Sequence, residues 1–168
     1  MVKFTGVANP GRTSTVLRRG SNELVLAEAD RSVHDAQCVV RSLVKRRRLV
    51  AGGGAAEAEA ARRLRALALE ATAGTDARCY EAYAEALEAI PYTLAENAGL
   101  RPVEVVTELR KAHAEGIKGA GIDVKRGKIS DMYEMDVIQP LLVTTSAIKL
   151  ATEMVGMILK VDDLVVVA

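Results

Sequence analysis

The longest helical pattern in the sequence runs from Glu23 to about Arg47, a stretch without a glycine or a proline. Its apolar residues recur at spacings of three and four, at Ala29, Val33, Ala36, Val40 and Leu43. This spacing places them on one face, which predicts a long amphipathic helix. Ser21 or Asn22 can supply the N-cap oxygen, and the basic residues 45–48 suit the carboxyl end of the helix dipole.

A glycine triplet, Gly52-Gly53-Gly54, ends this pattern, and three further helices are predicted after it. The first of them should end at Gly74, and its apolar face consists of Ala60, Leu64, Leu67 and Ala71. The next precedes Pro91, which is predicted to open a fresh helical turn. The third begins with Pro102 at its first position and is closed by Gly116.

Short β-prone runs lie at both ends of the chain. Residues 2–7 and 13–19 are predicted to be two strands around a turn signal at residues 9–11. Two strands alone are marginally stable in water, so this ribbon is expected to need another partner. The final apolar run, residues 164–167, is expected to join a sheet because an unpaired apolar strand would aggregate.

Glycine-punctuated β-prone runs also separate the fourth helix from the last one. Residues 122–124 and 128–130 are predicted to pair as a hairpin that turns at residues 125–127. After Pro140 the helical period returns, at Ile148, Ala151, Val155 and Ile158. These elements together predict a mainly α fold with small β elements (α+β).

Composition narrows the function classes. Apolar residues make up 49% of the chain and aromatics only 3%, so helices are expected to pack closely through Ala, Val and Leu. The formal charge of +1 argues against a strongly cationic nucleic-acid binder and gives no reason to expect a membrane partner. No stretch approaches the ~20 apolar residues of a membrane span, and the N-terminus lacks the apolar segment of a signal peptide.

The cysteines and histidines form no recognisable site. Cys38 and Cys79 lack CxxC spacing and lie in helical pattern, which predicts reduced, buried thiols in a cytoplasmic protein. His34 and His113 lack metal-ligand spacing, so packed or solvated side chains are expected and no metal site is predicted.

The glycine triplet is the first candidate binding site. Without side chains the backbone can approach a ligand closely, and the helix that follows would direct its first N–H groups toward that ligand. Taken alone, the pattern favours a tight turn. It matches neither a P-loop nor a dinucleotide fingerprint, since no Lys-Ser/Thr or matching glycine spacing follows.

Two aspartates are further candidates. Asp35 flanks the apolar face of the long helix, so it is either a solvated acid or a general base that orients a hydrolytic water. From Asp35 to Arg46 a helix rises about 16 Å, comparable with an extended nucleoside triphosphate. Asp35 and Gly53 are therefore compatible with opposite ends of one nucleotide. Asp123 either shapes its turn or contacts a base or ribose.

Several stretches resemble the group II chaperonins, the family of the thermosome and of the eukaryotic CCT (TRiC) complex. In chain order they are residues 28–36, 51–55, 93–99, 121–124, 127–132 and 158–163. The likeness covers essentially the whole chain and corresponds to the carboxy-terminal third of a subunit. Residues 19–22 and 137–143 resemble one CCT subunit type in particular.

The resemblance implies a division of the chain and a function. Residues 1–48 would be the C-terminal part of an intermediate domain, and residues 49–168 the C-terminal half of an equatorial ATPase domain. The whole subunit would use ATP, with ADP as product and Mg²⁺ bound, to close a folding chamber. Its partners would be other chaperonin subunits in a hetero-oligomeric double ring and unfolded cytosolic proteins such as actin and tubulin.

The resemblance also implies roles for single residues. Asp35 matches the aspartate that activates the attacking water. Gly53, between Gly52 and Gly54, matches the glycine that packs on the nucleotide's sugar.

The adenine side of the site would lie further along the chain. Asp123 and Val124 match adenine-side contacts, and Gln139 stands where many relatives carry an acid that bonds the ribose hydroxyls. The family's Gly-Asp-Gly-Thr-Thr phosphate loop, with its magnesium aspartate, does not occur in this sequence. The chain alone is therefore expected to lack ATPase activity. The alternative is a naturally truncated, non-enzymatic, chaperonin-like interaction module.

Overall fold

The computed structural model describes residue 11 and residues 15–70, 74–163 and 165. The chain divides into two compact units, Met1–Arg41 and Ser42–Ala168. The described residues form five helices and four short strands: α1 (Glu23–Lys45), β1 (Leu49–Ala51), α2 (Ala55–Glu70), α3 (Gly74–Asn97), α4 (Pro102–Ala114), β2 (Ala120–Asp123), β3 (Lys128–Asp131), β4 (Ile138–Pro140) and α5 (Leu141–Ile158). The predicted fold class, mainly α with small β elements, is confirmed.

Helix α1 follows the predicted amphipathic pattern closely. Of the two candidate caps, Asn22 fills the role, because its Oδ1 accepts a hydrogen bond of 2.9 Å from the Val25 N–H. No residue of α1 is buried, and Val40 on the predicted apolar face is exposed. The sequence thus determines that the helix forms, while its apolar face lies open.

The strands predicted at the two ends of the chain are only partly testable. Residues 2–7 and all but one of residues 164–167 lie outside the described residues. Residues 15–19 are described and have no regular structure, so the strand predicted over 13–19 is wrong there. A strand requires a neighbour for its backbone hydrogen bonds, and within the described residues this segment has none.

The main core lies between α2, α3 and α4, with β2 packed beside them. Small side chains let these helices approach closely, as predicted: Ala61 and Ala84 are fully buried where α2 meets α3. The core around α4 and β2 contains Ala58, Ala95, Val105, Leu109, Ala120 and Ile122. No Phe, Tyr or Trp ring is buried among the described residues.

Helix α3 corrects two predicted boundaries. Gly74 begins α3, whereas it was expected to end the preceding helix. Pro91 lies inside α3, whereas it was expected to open a fresh turn. A proline inside a helix costs about 3 kcal/mol because it removes one hydrogen bond and crowds the preceding turn. Here the ring is buried and packs against Gly54, so tertiary contact overrides the local preference.

Two antiparallel strand pairs complete the structure. In the predicted hairpin, β2 pairs with β3 so that Ile122 faces Ile129 and Asp123 faces Lys128. Gly127 adopts a positive φ of 67° in the turn, a conformation that glycine allows without strain. The second pair joins β1 to the distant β4, with Val50 opposite Gln139. This second pairing was not predicted, because three-residue strands carry too little pattern to be recognised.

Helix α5 confirms the helical period after Pro140 but also corrects an expectation. Among the described residues, α5 is the one helix that is long and apolar enough, by length and composition, to cross a membrane. Its mean hydropathy is 1.4 over 18 residues. The core helices of water-soluble proteins pass the same test when they are buried, yet no residue of α5 is buried in this chain. The expectation that no stretch comes near this limit was therefore wrong.

The cysteines give a further correction. Cys38 and Cys79 are not joined in a disulfide, but both are exposed, so the prediction of buried thiols was wrong. Each lies on a helix face that the described residues leave uncovered. Helical periodicity predicts the helix, but it does not tell whether another element covers a given face.

Candidate functional site

The glycine triplet forms a short loop, called here the glycine loop (residues 52–54), between β1 and α2. Backbone hydrogen bonds hold it on two sides. The Gly52 N–H donates to the Val137 carbonyl at 2.9 Å, and the Ile122 N–H donates to the Gly53 carbonyl at 2.9 Å. The loop is therefore fixed to the segment before β4 and to strand β2 of the hairpin.

Two of these glycines have a structural reason to lack a side chain. Gly53 has a φ of 62°, and a Cβ there would lie 2.8 Å from the Met132 sulfur. Gly54 has a φ of 78°, and a Cβ there would lie 2.8 Å from the Pro91 Cβ. Both positions need glycine because of their backbone conformation and the close packing around them. The tight-turn interpretation of the triplet thus holds, whatever the loop binds.

The open side of the glycine loop faces a cleft of about 610 Å³, called here the glycine cleft. This volume lies in the usual range for a small-molecule site. The cleft is lined by Gly53, Gly54, Glu57, Ala89, Ile90, Thr93, Leu94, Asn97 and Gln139. The fold therefore brings together three of the predicted site residues, Gly53, Gly54 and Gln139, from positions far apart in sequence.

Gln139 reaches the glycine cleft from β4. Its side-chain amide donates a hydrogen bond of 2.9 Å to the Thr144 hydroxyl at the start of α5. That bond uses one of its two N–H donors and leaves its carbonyl oxygen available to a ligand. A hydroxyl-bearing ligand could therefore be bound here, by a neutral acceptor.

Asp123 and Val124 lie at the hairpin turn and do not line the glycine cleft. The Asp123 side chain is buried, and its Oδ1 accepts hydrogen bonds from the Lys125 and Arg126 N–H groups at 3.0 and 3.1 Å. This is the turn chemistry that was weighed as the alternative to a ligand contact. Val124 is exposed, and the roles of both residues toward a base remain predictions.

Asp35 lies in the other compact unit, on an exposed part of α1. Its side chain is open to solvent, and its role as the residue that activates water remains a prediction. The structure therefore gathers three of the seven predicted site residues in one cleft. It leaves four outside the lining: Gly52, Asp35, Asp123 and Val124.

Two charged clusters, each around an acid of low exposure, lie outside the predicted site residues. Glu88 on α3 binds both Arg65 on α2 and Arg110 on α4. Burial raises the pKa of Glu88, but the hydrogen bonds from the two arginines outweigh that effect and lower its pKa to about 2. A single acid therefore ties the three core helices together.

The second cluster surrounds Glu59 on α2. Hydrogen bonds from Arg62 and Arg63 lower the pKa of Glu59 to about 2 against the opposing effect of burial. The buried His113 ring donates from Nε2 to the Ala120 carbonyl at 2.9 Å, and its Nδ1 lies 3.4 Å from the Glu59 carboxylate. The spacing of four residues on a helix predicts the Glu59–Arg63 pair, and the structure confirms it, whereas His113 gave no sequence signal.

Comparison with known proteins identifies the family of this fold. The family model described as "TCP-1/cpn60 chaperonin family" matches residues 1–168. The chain belongs to that family. The chaperonin resemblance inferred from the order of the sequence motifs is thus confirmed.

Individual relatives narrow the likeness within the chaperonin family. The chain is 59% identical to T-complex protein 1 subunit delta of Arabidopsis thaliana over 99% of its own length, and 58% identical to that of Dictyostelium discoideum over 98%. The human subunit delta is 56% identical over 98% of the chain. The CCT subunit type indicated by residues 19–22 and 137–143 is the delta type, and this likeness is confirmed.

A solved chaperonin structure shows the same fold. The open-state monomer of a group II chaperonin from Methanococcoides burtonii matches 84% of the chain with a TM-score of 0.72 and 41% identity. The chain covers 35% of that monomer, and 30–31% of the delta subunits named above. It therefore spans about three tenths of the length of the curated relatives it matches.

Proposed function

We propose that this chain supplies the sugar-side half of the ATP site in a group II chaperonin subunit. The observation that carries the proposal is the glycine cleft, in which Gly53, Gly54 and Gln139 meet beside the first turn of α2. A loop of glycines lets a ligand approach the backbone, and the first N–H groups of α2 can donate hydrogen bonds to the ligand. The hairpin bonded to Gly53 would add the adenine side through Asp123 and Val124.

In the proposed scheme the chain works with segments that its longer relatives have. Residues 1–48 act as part of the intermediate domain and residues 49–168 as part of the equatorial ATPase domain. Binding and hydrolysis of ATP with Mg²⁺ close the folding chamber of a hetero-oligomeric double ring in the cytoplasm. Unfolded cytosolic proteins such as actin and tubulin are the proposed substrates.

The proposal gives Asp35 the role of orienting the attacking water. We expect Asp35→Ala in a full-length subunit to keep nucleotide binding and to slow single-turnover hydrolysis at saturating ATP by roughly 10²–10⁴-fold, the usual contribution of a general base. Glu28→Ala is the matched control, because Glu28 is an exposed acid two turns earlier on the same face of α1. Unchanged hydrolysis by Asp35→Ala would remove Asp35 from the site.

A second candidate function is a non-enzymatic, chaperonin-like interaction module. The observation that favours it is that α1 and α5 have no buried residue although both carry apolar faces. A reading frame that continues upstream into a Gly-Asp-Gly-Thr-Thr loop would favour the ATPase subunit, and a stop codon just before Met1 would favour the module. Magnesium-dependent turnover by the 168-residue chain alone would contradict both.

A further inference from the structure

Three acids of low exposure lie on the packed helices α2 and α3, and one of them lacks the arginine partners that the other two have. Arg62 and Arg63 hold Glu59, and Arg65 and Arg110 hold Glu88. Glu57, only 7% exposed, has neither a hydrogen bond nor an ion pair among the described residues. Glu57 is absent from the buried unpartnered polar atoms of the described residues, so its carboxylate oxygens keep access to solvent and are free to accept hydrogen bonds from a ligand.

The position of Glu57 points to a ligand. It lies in the first turn of α2 and lines the glycine cleft together with Gly53, Gly54 and Gln139. The helix N-terminus stabilises a negative charge there, which explains in part why an acid of low exposure is tolerated at this position. It does not satisfy the carboxylate oxygens, which accept hydrogen bonds and face a cleft large enough for a small molecule.

The chemistry of the cleft selects the part of the ligand that Glu57 meets. A carboxylate accepts hydrogen bonds and repels phosphate, so the phosphates of a nucleotide must point away from it. Neighbouring sugar hydroxyls are suitable donors, and acidic side chains bind ribose in this way in dinucleotide-binding folds. The other polar side chains of the lining, Thr93, Asn97 and Gln139, are neutral, so Glu57 is the one charged acceptor in the cleft lining.

We propose that Glu57 binds the ribose hydroxyls of the nucleotide and makes the site prefer ribonucleotides over deoxyribonucleotides. This inference rests on the proposed ATP site and adds a specificity-determining residue to it.

The test is a binding cycle in a full-length subunit, with Glu57 and Glu57→Gln each titrated calorimetrically with ATP, 2′-deoxy-ATP and 3′-deoxy-ATP. We expect Glu57→Gln to weaken ATP binding on the order of tenfold, the effect of losing a charge-assisted hydrogen bond. Binding of at least one deoxynucleotide should be weak already and should change little. Glu96→Gln, an exposed acid near the end of α3, controls for the general loss of negative charge and should not weaken ATP binding.

The outcomes separate this inference from the proposed function. No ATP binding by the unsubstituted subunit would overturn both. Normal ATP binding, with Glu57→Gln binding ATP equally well or weakening all three nucleotides alike, would overturn the ribose contact and leave the ATP site standing. Thermal unfolding of Glu57→Gln measures whether the variant is folded. A folded protein with weaker ATP binding is the expected result, because glutamine cannot make a charge-assisted hydrogen bond with the ribose hydroxyls.

Discussion

The packed helices (α2, α3 and α4) and the uncovered helices (α1 and α5) come from equally regular helical patterns, yet they differ completely in burial. The packed helices contain Ala55, Ala61, Ala84 and Ala95 at 0% exposure. The uncovered helices contain no buried residue at all. Regular spacing of apolar residues therefore predicts that a helix forms, but only the available partner elements decide whether its apolar face is buried.

The difference also shows in what joins the helices. Glu88 links all three packed helices through Arg65 and Arg110, and small side chains allow close backbone approach between them. The ion pair between Lys149 and Glu153 along α5 spans 3.8 Å and is exposed at both ends. Exposed pairs of this kind contribute little to stability. The packed helices thus hold most of the interactions that resist unfolding.

Truncating a leucine to alanine should give the largest difference between the two regions in the free energy of unfolding. Leu109→Ala on α4, where the side chain is 1% exposed, is expected to lower the free energy of unfolding by about 3 kcal/mol because it leaves a cavity. Leu150→Ala on α5, where the side chain is 60% exposed, should change it by no more than about 0.5 kcal/mol. Urea unfolding followed by far-UV circular dichroism measures both. Equal losses would mean that α5 is covered in solution.

Replacing a glycine with alanine should change the free energy of unfolding in opposite directions in the two regions. Gly53→Ala forces a residue with a Cβ into a positive φ and against Met132, and is expected to lower the free energy of unfolding by about 2 kcal/mol. Gly156→Ala in α5 meets nothing within 4 Å and should raise it by about 0.5–1 kcal/mol, since alanine favours the helix. Destabilisation by Gly156→Ala would show that the open face of α5 is occupied.

Low pH should lower the free energy of unfolding through the packed helices alone. We expect this effect to be smaller than those of the leucine and glycine substitutions. The folded-state pKa of Glu59 and of Glu88 is about 2, below the ordinary 4.5, so their contribution is complete above pH 4.5 and is lost as the pH falls toward 2. Glu88→Gln should flatten this decline and lower the free energy of unfolding at pH 7 by on the order of 1 kcal/mol. Glu153→Gln on α5 should leave the pH curve unchanged. Urea unfolding from pH 7 to pH 2 provides the measurement, and a steeper decline for Glu88→Gln would contradict the assignment.

The sequence predicted the positions of the helices far better than their boundaries and their tertiary contacts. The long apolar periods located every helix, and the cap at Asn22, the start at Pro102 and the hairpin turn at Gly127 follow local rules that were read correctly. Pro91 was misread because the rule that a proline starts a helical turn is local, whereas its packing against Gly54 is tertiary. The pairing of β1 with β4 joins residues about ninety positions apart and has no local signal.

The candidate site was predictable only in part, for a similar reason. A run of three glycines is easily recognised in a sequence, so the glycine loop was predicted. Gln139 was predicted from the resemblance to the chaperonin family. Glu57 was missed because an acid in the first turn of a helix is ordinary there. Only the fold shows that it is buried, lacks an arginine partner and faces the cleft.

A core of alanine, valine and leucine has an optical consequence. The chain has no tryptophan, and Tyr80, Tyr83, Tyr92 and Tyr133 are all exposed, while Phe4 lies outside the described residues. Tyrosine fluorescence will therefore report events at the surface, and the packed helices will separate with little change in emission. A tryptophan placed beside the glycine loop would be the sole indole of the chain, and its emission would follow that region without interference from the rest of the protein.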